Sequence, residues 1–150
     1  ASRILACELA SIAAKRRTDS DVTALRSTVE AMRHENNLSK LLWLDFDFHW
    51  ALTTAAQNVV PLLFMNSVRG LLKKYLHLLE RLWVSPGTIS AGYEHVVDAI
   101  GRGESNRARA LLEWIWLGRE QRFAEALETQ AERASPTTQA ASGHAVSLRK

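Results

Sequence analysis

The sequence predicts an all-α protein, an antiparallel bundle of about six helices. Three observations carry that prediction. Apolar residues recur with the helical period of about 3.6 along nearly the whole chain. Capping residues cluster between the periodic stretches. Seven glycines and three prolines in 150 residues leave few of the turns that an all-β chain needs.

The elements follow in order. A first helix is predicted over residues 3–16, with Ile4, Leu5, Leu9 and Ile12 as its apolar stripe. Thr18-Asp19-Ser20-Asp21 is a dense N-cap signal for a second helix, which reaches about Glu35 and turns Val22, Leu25, Val29 and Met32 inward. Asn36-Asn37 breaks it. A third helix is expected from Leu38 to Gln57, and a fourth, with Pro61 in its first turn, from Val60 to Trp83. Ser85-Pro86-Gly87 ends the fourth, and Thr88 or Ser90 caps a fifth that reaches Ile100. Gly101-Arg102-Gly103 is a short turn before a sixth helix, Glu104 to Arg133. Residues 135–150 carry no stripe and read as a flexible tail, so residues 1–134 form one domain.

Composition narrows the function classes. At 47% hydrophobic and 23% charged residues the chain is globular, which excludes extended disorder for most of its length. Cys7 is the single cysteine, so there is no internal disulfide and no cysteine-rich zinc site. A reducing, cytoplasmic setting fits this, and no apolar run approaches the ~18 residues of a membrane span. The net charge of +3 is spread over Lys15-Arg16-Arg17, Lys73-Lys74, Arg102, Arg107 and Arg109 rather than gathered on one face. Those residues read as solvated helix surfaces, not as a nucleic-acid footprint. No phosphate loop, nucleophile elbow or His-Glu-x-x-His motif is present, so nothing marks a catalytic centre.

The anomaly lies in the third helix. Leu38, Leu41, Leu42, Asp45, His49, Leu52 and Ala56 share one face, and all are apolar except Asp45 and His49. A carboxylate and an imidazole one turn apart interrupt a face that should be buried. Burying an unpaired carboxylate is expensive, so Asp45 needs a partner. Two readings stand side by side: an Asp45–His49 ion pair within a core, or a chelating pair for one divalent cation.

The surrounding residues carry a resemblance. Asp45, Phe48, His49, Leu52, Ala55 and Asn58 keep the register Asp-x-x-Phe-His, Leu, small residue, Asn. Upstream stand Ile12-Ala13-Ala14-Lys15-Arg16-Arg17-Thr18, Leu25 and Met32, and downstream Val96-Val97-Asp98-Ala99-Ile100, Gly103-Glu104, Ala108 and Leu112. Together these resemble, over residues 4–127, the effector-binding domain of FadR-type regulators in the GntR family of transcription factors. The resemblance implies a homodimer that senses a small organic acid or an acyl-type effector and lacks, in this chain, the winged-helix domain that contacts DNA.

Many members of that family hold a metal with one Asp and three His. The resemblance carries two of these positions onto Asp45 and His49. It puts the third on Tyr93 and the fourth near Ile115, neither of them an imidazole. His95 lies two residues past Tyr93, about 200° around the helix. If it turns inward, Asp45, His49 and His95 form a two-His, one-carboxylate set for zinc or nickel. The alternative resembles the fatty-acyl-responsive branch: Trp50, Tyr93, Trp114, Ile115 and Trp116 line a largely apolar cavity with Asp45 and His49 as its polar floor. Asn58 is a helix cap, or else a donor to that pocket. Two rivals from other classes are a metal-dependent helical-bundle enzyme using Asp45, His49 and His95, and an oligomerisation module with a filled core. Apolar residues on more than one face of the third and fourth helices (Leu44, Phe46, Trp50; Leu63, Leu71, Leu78) offer a dimer surface.

Overall fold

The computed structural model describes residues 2–82 and 90–135. It has six helices: α1 (Ser2–Arg16), α2 (Asp19–His34), α3 (Leu38–Ala55), α4 (Val59–Leu82), α5 (Tyr93–Gly101) and α6 (Ser105–Ala134). No strand occurs among the described residues, and no helix there is long and apolar enough to cross a membrane.

Local signals set the boundaries. Thr18 caps α2 in a reciprocal box: its hydroxyl accepts the Asp21 N–H at 3.2 Å, and its own N–H donates to the Asp21 carboxylate at 2.8 Å. The Asn37 side chain accepts the Lys40 N–H at the start of α3. The third helix stops at Ala55, two residues before the expected Gln57, because Gln57 turns to φ 52°. In that position its side-chain amide donates to the Arg16 carbonyl at 2.9 Å, while Arg16 donates to the Ala56 carbonyl. The ends of α1 and α3 are thereby tied together. Gly92, at φ 89°, caps α5 in place of the expected Thr88 or Ser90. Thr88, Trp83, the Ser85-Pro86-Gly87 break and the tail beyond Ser135 lie outside the described residues.

The core is built from five helices. Small residues on α1 (Ala6, Ala10, Ala13, Ala14) are buried and let it lie close along α6 and α3. From α3, Leu41, Leu42, Phe46, Phe48 and Leu52 enter the same core, joined by Leu25 and Met32 of α2, Val96, Val97 and Ile100 of α5, and Leu112 and Ile115 of α6. Cys7 is one of its small apolar members. The fourth helix is different. Among its described side chains only Pro61, Met65 and Leu72 are buried, and it packs mainly on α3, with a thin contact to α6.

Candidate functional site

Asp45 has its partner, and the partner is Arg119. The guanidinium grips the carboxylate with two bonds, Nη2 to Oδ1 at 2.6 Å and Nη1 to Oδ2 at 3.2 Å. This planar fork is the strong geometry for an Arg–carboxylate pair. The Tyr93 hydroxyl donates to the same Oδ1 at 2.6 Å. The Arg119 side chain is 7% exposed and that of Asp45 17%, so the pair is largely buried. Three helices converge here: α3 supplies Asp45, α5 supplies Tyr93 and α6 supplies Arg119.

Backbone geometry explains how Tyr93 arrives. A Cβ on Gly92 would stand 3.2 Å from the Ile115 side chain and would be strained at that positive φ. Glycine lets α5 begin tight against α6. The Tyr93 ring stacks on Phe48 with centroids 4.0 Å apart, and Arg119 lies 5.2 Å from the Tyr93 centroid on another side.

The charges follow. Burial alone would raise the Asp45 carboxyl, but Arg119 and His49, with the hydrogen bonds from Arg119 and Tyr93, outweigh it and hold it below its ordinary value. Burial likewise opposes the Arg119 cation, and the Asp45 charge overrides it. Burial pushes the Tyr93 phenol well above its usual value. For His49, burial dominates and lowers the imidazole below its ordinary value, against the pull of Asp45. Neutral His49 places Nδ1 2.8 Å from the Asp45 backbone carbonyl. A carbonyl only accepts, so Nδ1 carries the proton and Nε2 carries the lone pair. That Nε2 and the indole N–H of Trp116 are both buried without a hydrogen-bond partner. The two rings meet edge to face with centroids 5.6 Å apart.

Beside this cluster opens a cavity of about 490 Å³. Asp45, His49, Thr53 and Trp116 stand in its wall with Phe46 and Leu42. Leu5 and Leu9 of α1 form a second side, and Phe64, Met65, Val68 and Leu72 of α4 a third. The volume lies within the ~300–1,000 Å³ range of small-molecule sites.

The expected site residues divide accordingly. Asp45, His49 and Trp116 are brought together at the cavity. Tyr93 acts behind the wall, through Asp45, rather than in it. Ile115 is buried against Gly92 and does not line the cavity. Trp50 is half-buried under the Arg69 guanidinium, 4.8 Å from its ring centroid, because its side of α3 faces α4 away from the floor. Trp114 points to solvent at 70% exposure. The Asn58 side chain accepts the Val60 N–H at 3.1 Å, which is cap geometry.

His95 does not join Asp45 and His49. It lies on the exposed side of α5, with Glu94 at 3.8 Å, since α5 turns Tyr93, Val96 and Val97 inward. Among the described residues no three His, Cys, Asp or Glu side chains are gathered as a metal site. His49 has the tautomer of a metal ligand, but the Asp45 oxygens already face the guanidinium. The described side chains therefore do not fit the metal set that the resemblance implied.

Arg119 was missed by sequence reasoning. Its signal is a cation one turn beyond Ile115, on the inward stripe that runs through Leu112 and Ile115.

The model of the FCD domain matches residues 1–115. The match stops short of Trp116 and Arg119. The HTH-type transcriptional regulator LutR of Bacillus subtilis (strain 168) is 26% identical over 118 residues, covering 73% of this chain and 53% of that protein. The chain thus spans about half the length of the curated relative that it matches.

Proposed function

The chain belongs to the FCD domain family, and on that footing we propose that it is the effector-sensing, dimerising half of a cytoplasmic GntR-type transcriptional regulator. The observation that carries this reading is the cavity of about 490 Å³ set between α4 and the rest of the bundle. A small organic effector enters there and touches the Asp45–His49 floor and the inner face of α4 at once. The relative's description as an HTH-type transcriptional regulator supports the DNA-linked role. DNA contact comes through a winged-helix segment outside these 150 residues.

The fourth helix links the cavity to the subunit arrangement. Met65, Val68 and Leu72 line the pocket, Leu71 and Leu78 reach its open edge, and Leu63, outside the lining, presents apolar surface to solvent. A second copy covers that surface in the proposed homodimer. An effector controls the dimer to the extent that it prefers one position of α4 over another. The partner is a regulator's ligand rather than a substrate on the strength of the family match, and the Thr53 hydroxyl in the wall donates to the His49 backbone carbonyl at 2.7 Å.

The test joins sedimentation to a ligand screen. Leu63→Glu, on α4 and outside the pocket lining, converts a dimer to a monomer if α4 is the interface. Small organic acids, acyl compounds and their neutral analogues are screened by tryptophan fluorescence, which Trp116 in the wall makes sensitive. Saturable one-to-one binding without turnover is expected. Turnover of a bound compound would overturn the regulator reading in favour of an enzyme.

A further inference from the structure

The chemistry of the cavity floor restricts what can bind there. Asp45 is the only charged side chain in the wall, among the described residues. Its charge is closed on Arg119 by the two-bond fork behind it. A carboxylate ligand would lose its hydration beside Asp45 and meet a guanidinium already engaged. A divalent cation would have to pull Asp45 away from Arg119 and would find His49 as its one other donor there, short of the usual four-coordinate set.

The other polar atoms of the wall are few. His49 Nε2, an acceptor, and Trp116 Nε1–H, a donor, are unpaired but sit within the wall with almost no surface open to the cavity. The side chains of Ser2, Thr53 and Tyr75 add hydroxyls, of which Thr53 donates to the His49 carbonyl. The remaining wall, Leu5, Leu9, Phe64, Met65 and Leu72 among others, offers aliphatic and aromatic contact. We infer that the cavity takes, without a metal ion, a mainly apolar and uncharged molecule. Arg119 is then the fixed cation of the site, tethered to α6, where the resemblance implied a bound one. This rests on the effector reading above and specifies the ligand class of the same cavity.

Isothermal titration of the full chain at pH 7.5 tests it with 1-octanol, octanamide, octanoate, and octanoate plus zinc. The alcohol and the amide bind at least about tenfold tighter than octanoate, and zinc changes nothing. Octanoate binding as tightly as octanamide, or binding more tightly with zinc, would overturn the inference of an uncharged ligand and leave the effector site standing. Failure of all probes to bind or to shift the melting temperature overturns both, including the case in which a second copy seated on α4 fills the cavity.

Discussion

Helices α3 and α4 are neighbours of similar apolar content and opposite fate. Along α3, Leu41, Leu42, Phe46, Phe48 and Leu52 vanish into the core, and Asp45 is locked to α6. Along the longer α4, Val59, Val60, Leu63, Leu71 and Leu78 remain open to solvent. The same residue types therefore do two jobs. In α3 they are structure, supported by α1, α2 and α4, and only polar residues such as Lys40, Asp47 and Thr54 are left exposed. In α4 they are surface: Leu71 and Leu78 edge the cavity, while Val59, Val60 and Leu63 stand outside it, where the proposed homodimer places a second copy. Burial is concentrated in the five other helices, and α4 leans on them.

The largest test of this contrast removes Arg119. Arg119→Ala strands a buried carboxylate and should cost about 3–5 kcal/mol in urea unfolding. Pairing Asp45→Asn with Arg119→Met should recover most of that loss. A cost near zero for the single variant would mean that α3 is not pinned at Asp45. Truncations come next. Leu52→Ala, fully buried on α3, should cost about 2–5 kcal/mol. Leu63→Ala, 65% exposed on α4, should stay within about 0.5 kcal/mol in the monomer. Equal losses would erase the distinction.

The smallest effect is a pH dependence. The His49 imidazole is lowered in the fold from its ordinary value of 6.5. As pH falls below that value the unfolded chain takes up a proton that folded His49 refuses. Stability therefore declines on acidification, by at most about 1.4 kcal/mol per pH unit, until the folded imidazole also titrates. His49→Gln should flatten this segment of the stability–pH curve. Asp45 acts in the same direction at lower pH, because its folded carboxyl sits below the ordinary range and its contribution is lost as it protonates.

The bundle was legible because periodicity and capping are local. Thr18 and Asn37 start α2 and α3 where the sequence placed those starts. The third helix ran two residues short because Gln57 takes a left-handed turn to reach Arg16, a partner 41 residues away. The site was legible in half. Asp45 and His49 announced themselves as polar residues on an apolar face, and the need for a partner to Asp45 was clear. That partner was sought among histidines, whereas it is a cation on α6 that only the packing of three helices brings near. Trp50 and Trp114 misled for a related reason: aromatic identity does not say which side of a helix meets the cavity. Trp50 went under Arg69, and Trp114 to solvent.

The Asp45–Arg119 fork joins residues 74 apart in sequence. During synthesis the first three helices leave the ribosome carrying a carboxylate that they cannot bury alone. The chain gains its counter-ion only when α6 emerges. Completion of the Asp45 site therefore waits for α6, and until then the α3 carboxylate is without its Arg119 counter-ion. A gene fragment ending at residue 115, where the family match stops, would remain in that state. It would carry nearly all of the recognisable sequence and none of the stability that Arg119 confers.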